Sequence, residues 1–357
     1  MDVAVLGATG DVGRQVCTQL VERALLPATS RLQLVGRAGG ASARATHGLR
    51  ADLIDAYDEH APILDVALDP SDVVADVVVL AAGRTQPPGG ESFARSELAA
   101  DNAAIFHAYA DALAEHGSGS EVVVVVTNPV ELGVAILAER LGRERVIGMG
   151  AWLDTLRFRR EVAVSLGVRR HRVGGFVGGE HGPGAVPLWS TLRIGGLEAC
   201  ERERAVARVR GARSLDDFPA EVAKAQARLA ELDTAEGYRF VDTLPPDLRV
   251  VVRPYLTHRS GAKTAAGTAS ATIDLVETIL DGRDIVVAGQ VALEGEVTLA
   301  GEPVHGVLGV PVQLGPEGWT RVLLEHPAPD EERALAGVAA SVAAGVAPWT
   351  GPRDAGA

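Results

Sequence analysis

MDVAVLGATGDVGRQV, residues 1–16, sets an apolar run against a turn holding Gly7, Gly10 and Gly13, followed by a helix-forming stretch. Val3 to Leu6 reads as a buried strand, and the helix is expected to start near Asp11. A tight strand-to-helix turn of this kind aims backbone N–H groups and the positive end of the helix dipole at an anion. Glycine lets a phosphate approach the backbone and lets helix and strand pack closely. Gly7, Gly10, Asp11, Val12 and Gly13 are therefore expected to cradle the pyrophosphate of a dinucleotide. A glycine-rich turn can also be only a turn, so the chemistry has to be read elsewhere.

Further apolar runs at 32–36, 77–82, 122–127 and 146–149 alternate with helical stretches such as 11–26 and 101–116. Strands that are apolar throughout and alternate with helices imply a parallel sheet covered on both faces. The fold class is thus α/β, with a doubly wound parallel sheet over residues 1–150. After a boundary near 145–155 the texture changes. Helical stretches near 155–167, 199–210, 219–233 and 267–281 are interspersed with β-like runs at 172–177, 285–289, 295–299 and 308–313. Glu331 to Val346 reads as a final helix, which gives an α+β catalytic domain over 151–346 and a loose tail over 347–357. Residues 235–262 resist assignment.

The 357 residues, 47% apolar and 23% charged, can bury a sizeable core. A net charge of −13, with arginines scattered among acids, argues against a nucleic-acid partner. Lys224 and Lys263 are the only lysines, a scarcity read as compositional bias of the source. Cys17 and Cys200 are too few and too isolated for a disulfide framework or a metal site, and no metal is expected. The longest strongly apolar run, near 122–126, is far too short to span a bilayer, so no membrane partner is expected. A first strand beginning at residue 2 leaves no room for a signal peptide, and a soluble cytoplasmic protein is expected.

Four stretches fall where a doubly wound fold gathers ligands, at the carboxyl ends of strands. LVGR (34–37) ends the second strand with Gly36 and Arg37, where an acidic residue usually binds the adenosine ribose. A carboxylate there would repel a 2′-phosphate, whereas a guanidinium can bind it through charge-assisted hydrogen bonds. This favours NADP over NAD. VVVVVTNPVE (122–131) delivers Thr127 and Asn128 at a strand end, and the Asn amide offers both a donor and an acceptor. In WLDTLRFRR (152–160), Asp154 and Arg157 lie three apart on a helix and project from one face. GGEHGPGAVPLWS (178–190) puts His181 in a glycine-rich loop, where an aspartate could buttress it for acid–base work.

In this order the four stretches resemble the malate/lactate dehydrogenase family, whose marks are a glycine-rich first turn, T-N-P-V, L-D-x-x-R-x-R and G-E-H-G. The resemblance covers roughly residues 1–230 and 261–345. LVGR followed by GLRADLIDA (48–56) is similar to archaeal-type members that use NADP. The resemblance implies a Rossmann domain and hydride transfer between a nicotinamide and C2 of a 2-oxo acid. It implies that His181 exchanges the proton, that Asp154 fixes the histidine tautomer, and that Arg157 clamps the substrate carboxylate. Asn128 would position the reacting oxygen and the nicotinamide, and Thr264 in GAKT would touch substrate. Asn102 and Thr127 would line the cofactor site. A homodimer or homotetramer is expected.

The match weakens in AAGRTQPPGGESFARSELAADN (81–102), which is longer than the family's loop. Anchoring on Leu98 and Asn102 makes Arg95 the carbonyl-polarising arginine, and counting from Gly83 puts Gln86 at the specificity position. A neutral Gln there is more like lactate-type enzymes, yet Arg84 could enter the site and pair with a second carboxylate. Malate/oxaloacetate is expected first, with a lactate-type or other 2-oxo acid as the alternative. An aspartate-semialdehyde type of dehydrogenase needs a nucleophilic cysteine, and neither Cys17 nor Cys200 is suitably set. The reading from another class is a dinucleotide-binding sensor without turnover.

Overall fold

Six strands of the first half run in the order β3-β2-β1-β4-β5-β6, all parallel. They are β1 (Val3–Leu6), β2 (Arg31–Val35), β3 (Ile63–Ala67), β4 (Val77–Leu80), β5 (Val122–Val125) and β6 (Val146–Gly148). Between them lie α1 (Asp11–Glu22), α2 (Gly40–Tyr57), α3 (Arg95–His116) and α4 (Val130–Leu141). The computed structural model describes residues 1–85 and 95–351. Successive strand side chains point to opposite faces. Val3, Val5, Val77, Val79, Val122 and Val124 enter one core, while Ala4, Leu6, Val78, Leu80, Val123 and Val125 enter the other. Burying each Val or Leu contributes about 1.5–3 kcal/mol, so a strand covered on both faces is apolar at every position. The strand order reverses between β1 and β4, which opens a crevice at their carboxyl ends.

The second half comprises α5 (Gly150–Leu166), β7 (Val173–Gly179), β8 (Ala185–Ile194), α6 (Ala199–Arg210), α7 (Phe218–Ala230), α8 (Thr234–Thr243) and α9 (Pro246–Arg259). These are followed by α10 (Ala265–Leu280), β9 (Ile285–Leu299), β10 (Glu302–Gly315), β11 (Gly318–Val322) and α11 (Pro329–Val346). Its strands pair antiparallel, and β9 joins β6 where Gln290 faces Gly148. One 11-stranded sheet therefore runs through the described residues. Helix α10 packs back against α1, so the second half leans on the glycine-rich turn.

Several elements differ from the sequence expectation. Residues 235–262 form α8 and α9. Three prolines obscure them, but Pro246 sits in the first turn of α9, where a missing N–H is tolerated. Val241, Val252 and Leu256 bury against Ala225 and Leu229 of α7, which holds the segment in place. The runs at 285–289 and 295–299 belong to the single strand β9, in which Gly289 pairs with Val310 of β10 and the register shifts near Gly295. Strand β3, at the sheet edge and carrying Asp65, and strand β8 have no counterpart in the expectation. At the start of the expected tail, Trp349 O accepts from His107 Nε2 at 3.0 Å. Residues 352–357 lie outside the described residues. No described helix is long and apolar enough to cross a membrane.

Candidate active site

The crevice begins at the turn after β1. Gly7 has φ +79°, and a Cβ there would lie 2.7 Å from Ala82 Cα. A Cβ on Gly13 would collide with Gly7 O, so α1 approaches the strand as only glycine allows. Gly10 caps α1 without any side-chain hydrogen bond, which leaves the first-turn N–H groups around Asp11 and Val12 to meet an external anion. At the end of β2, a Cβ on Gly36 would collide with Thr46 Oγ1. Arg37 follows, exposed, with its N–H donated to Ser42 Oγ at 2.9 Å. The glycine cradle, the uncapped helix start and the absence of a carboxylate at positions 36 and 37 fit a dinucleotide. Asp11 carries a partner that sequence reasoning missed: its carboxylate pairs with Lys263, from the loop ahead of α10. Only the rarity of lysine marked that position.

At the ends of β4 and β5 two expected cofactor residues face inward. Asn102 is fully buried and accepts from Arg84 N at 2.7 Å, while its Nδ2 donates to Arg84 O at 3.0 Å and Asn128 O at 2.7 Å. Thr127 Oγ1 donates to Ala82 O at 2.9 Å. Both residues brace the rim of the crevice with their polar atoms spent on backbone. Asn128 lies exposed on that rim, at a cis Asn128–Pro129 bond.

Helix α5 and the loop after β7 meet at the same edge. His181 Nδ1 and Asp154 Oδ2 are 2.7 Å apart, and Arg157 Nη1 donates to Asp154 Oδ1 at 2.9 Å. Asp154 is 3% exposed, and His181 and Arg157 are each 16% exposed. Burial disfavours the charged forms of both Asp154 and His181. The opposed charges outweigh it, so the Asp154 carboxyl is held below its usual range and the His181 imidazole is raised above its own. Two supports of His181 went unread in the sequence. Glu131, buried in the first turn of α4, accepts from His181 N at 2.7 Å. Gly150 opens α5, and a Cβ there would lie 2.5 Å from the His181 side chain. The signal for Glu131 was its place directly after Asn-Pro-Val, at a strand end.

Thr264 caps α10 and shares a cavity wall with Arg157. Arg84 does not reach into that wall: its guanidinium pairs with Asp101 of α3. Gln86 lies outside the described residues, as does the side chain of Arg95, whose backbone opens α3.

Residues 1–148 match the family model for the lactate/malate dehydrogenase NAD binding domain. A malate dehydrogenase of Halobacterium salinarum is 30% identical over 331 residues, 90% of each chain. An L-2-hydroxycarboxylate dehydrogenase (NAD(P)(+)) of Methanocaldococcus jannaschii is 27% identical over 339 residues, covering 90% of this chain and 91% of that one. The malate dehydrogenase structure from Aeropyrum pernix superposes with a TM-score of 0.73 at 22% identity, covering 98% of both chains. Matched by the family model across its cofactor half and by full-length relatives across both halves, the chain belongs to the lactate/malate dehydrogenase family.

Proposed function

We propose that the protein is an NAD(P)-dependent 2-hydroxy acid dehydrogenase that interconverts malate and oxaloacetate, with residues 1–150 binding the dinucleotide and 151–346 completing the catalytic site. The observation that carries the reading is the His181–Asp154–Arg157 constellation at the mouth of the dinucleotide crevice. When bound, the nicotinamide supplies a hydride to C2 of the 2-oxo acid. His181 Nε2 gives its proton to the carbonyl oxygen, which yields the 2-hydroxy acid, and takes a proton back in the reverse direction. The Asp154 carboxylate accepts a hydrogen bond from Nδ1–H, which leaves Nε2 facing substrate and stabilises the imidazolium. Arg157 keeps one arm on Asp154 and offers the rest of its fork to the C1 carboxylate. Asn128, Arg95 and Thr264 complete the substrate contacts, and Gln86 sets side-chain preference.

Arg37 in place of an acidic residue supports NADP(H) as the preferred cofactor. A guanidinium–phosphate bond of roughly 1.5–3 kcal/mol corresponds to about a tenfold or greater preference. Reduction of a panel of 2-oxo acids followed in the nicotinamide absorbance band tests the reading. Oxaloacetate is expected to be reduced, with NADPH favoured, and Arg37→Asp is expected to reverse the cofactor preference. A protein that binds the dinucleotide but reduces no 2-oxo acid is instead a sensor. A homodimer or homotetramer in the cytoplasm is the accompanying expectation, which sedimentation and fractionation check.

A further inference from the structure

Two cavities are walled by neighbouring residues of the loop between α9 and α10. Lys263 lines a space of about 450 Å³ beside the start of α1, together with Asp11, Arg14, Gln15, Gly261 and Ala265. Thr264, the next residue, lines a space of about 470 Å³ between α5, α9 and α10, together with Arg157 and Thr257. One peptide unit therefore joins the wall at the glycine-rich turn to the wall that holds Arg157.

The loop is exposed from His258 to Lys263 and is tied at its start by local hydrogen bonds, with Gly261 N donating to His258 O at 3.0 Å and Ala262 N to Thr257 O at 3.2 Å. Among the described residues, its one ion pair with the first half of the chain is that of Lys263 with Asp11. Arg14 stands on the same wall, so two cations face one carboxylate beside the uncapped first turn of α1, which suits a diphosphate. On the other side of the peptide unit, Thr264 O accepts from Thr268 N at 3.0 Å, while its side chain makes no capping bond and leaves the hydroxyl uncommitted to α10. Burial first, and then the charges of Arg157, His181 and Lys263, hold the His258 imidazole below its ordinary range. The lysine thus shares its electrostatic surroundings with the catalytic groups.

We propose that Lys263 is a positioning residue through which a dinucleotide bound at the α1 turn sets Thr264 for the 2-oxo acid. This rests on the dehydrogenase reading above and adds to it a route of communication between the two sites. A lysine held by both Asp11 and a diphosphate immobilises the loop, so the cost of ordering Thr264 is met before the acid arrives. The acid then binds the dinucleotide complex more tightly than the free protein, and by linkage the dinucleotide gains the same factor from the acid. Because Lys263 is well exposed, that factor is about two- to five-fold.

The test uses 2′-phospho-ADP-ribose, which carries the diphosphate but no nicotinamide, so that contact between nicotinamide and acid cannot supply the coupling. Its dissociation constant is measured by calorimetry with and without a saturating amount of the 2-hydroxy acid whose oxo form the enzyme reduces best, L-malate on the reading above. The acid is expected to tighten the fragment about two- to five-fold in the wild type. That ratio is expected to fall to about one in Lys263→Gln and in Thr264→Val, and to be kept in Lys263→Arg. A lysine with a merely structural role would alter the affinity of the fragment without altering the ratio. A ratio of one in the wild type overturns the inference, as does a ratio unchanged by Lys263→Gln or by Thr264→Val, and each leaves the dehydrogenase reading standing if the wild type reduces a 2-oxo acid. Failure to reduce any 2-oxo acid overturns the dehydrogenase reading and the inference with it.

Discussion

His181 is held between two opposing effects. Burial disfavours its imidazolium, and the Asp154 carboxylate 2.7 Å away favours it more strongly, which leaves its pKa above the ordinary value. The acid form needed to protonate a carbonyl is therefore favoured beyond what a free imidazole would show. Reduction is expected to lose kcat/KM as pH rises through that raised pKa, and oxidation, which needs the neutral ring, to gain over the same range. Replacing Asp154 with Asn leaves burial uncompensated, so the pKa of His181 falls. The limb of the reduction profile should move to lower pH while turnover drops by about 10²–10⁴-fold. Profiles of wild type and Asp154→Asn that superimpose after scaling would show that the pair does not act as acid and base. Gly150 belongs to the same scale: its missing side chain is the space in which the His181 ring sits.

Among elements, the loop between α9 and α10 ties the two halves together. Lys263 reaches from it to Asp11 at the start of α1, beside the turn that would carry a pyrophosphate. A carboxylate at that point favours the helix dipole but repels a phosphate, and the lysine offsets the repulsion. Both side chains are well exposed, so the effect is modest. Lys263→Met is expected to weaken dinucleotide binding about two- to five-fold at low salt, with the difference shrinking as salt is raised. Equal dissociation constants for wild type and variant at low salt, measured by nicotinamide fluorescence, would remove the lysine from the cofactor site. The neighbouring Thr264 stands at the N-cap position of α10 in the same loop, so the residues proposed for cofactor and for substrate come from one short segment.

At the scale of the whole molecule, β6 and β9 join the parallel and antiparallel strands into one sheet, and the buried Gln290 Oε1 accepts from Ala151 N at 3.0 Å across the junction. One of its cores runs from Val3 in β1 to Leu335 in α11. A ligand bound in the β1/β4 crevice should therefore stabilise the entire chain. Saturating NADPH at a hundredfold excess over its dissociation constant adds about 2.7 kcal/mol if binding is confined to the folded state. Calorimetry is expected to show one transition that moves upward as a unit. Two resolved transitions, of which NADPH shifts only one, would mean that the halves unfold separately.

The parallel half was legible because burial on both faces writes itself into local composition: Val3–Leu6, Val77–Leu80 and Val122–Val125 are apolar at every position. The glycine turn and the residues of the His181 constellation were legible for a related reason, since each needs a particular residue type in a short local pattern. Helices α8 and α9 were not, because prolines and arginines hide their apolar faces until α5 and α7 supply something to pack against. The partners described above for Asp11, Asn102 and Arg84 lie 17 to 252 residues away along the chain. Sequence determined which groups were present and which strands had to be covered. Only the folding of distant segments onto one crevice decided which charges met, because an ion pair depends on separation in space and leaves no periodic trace in the chain.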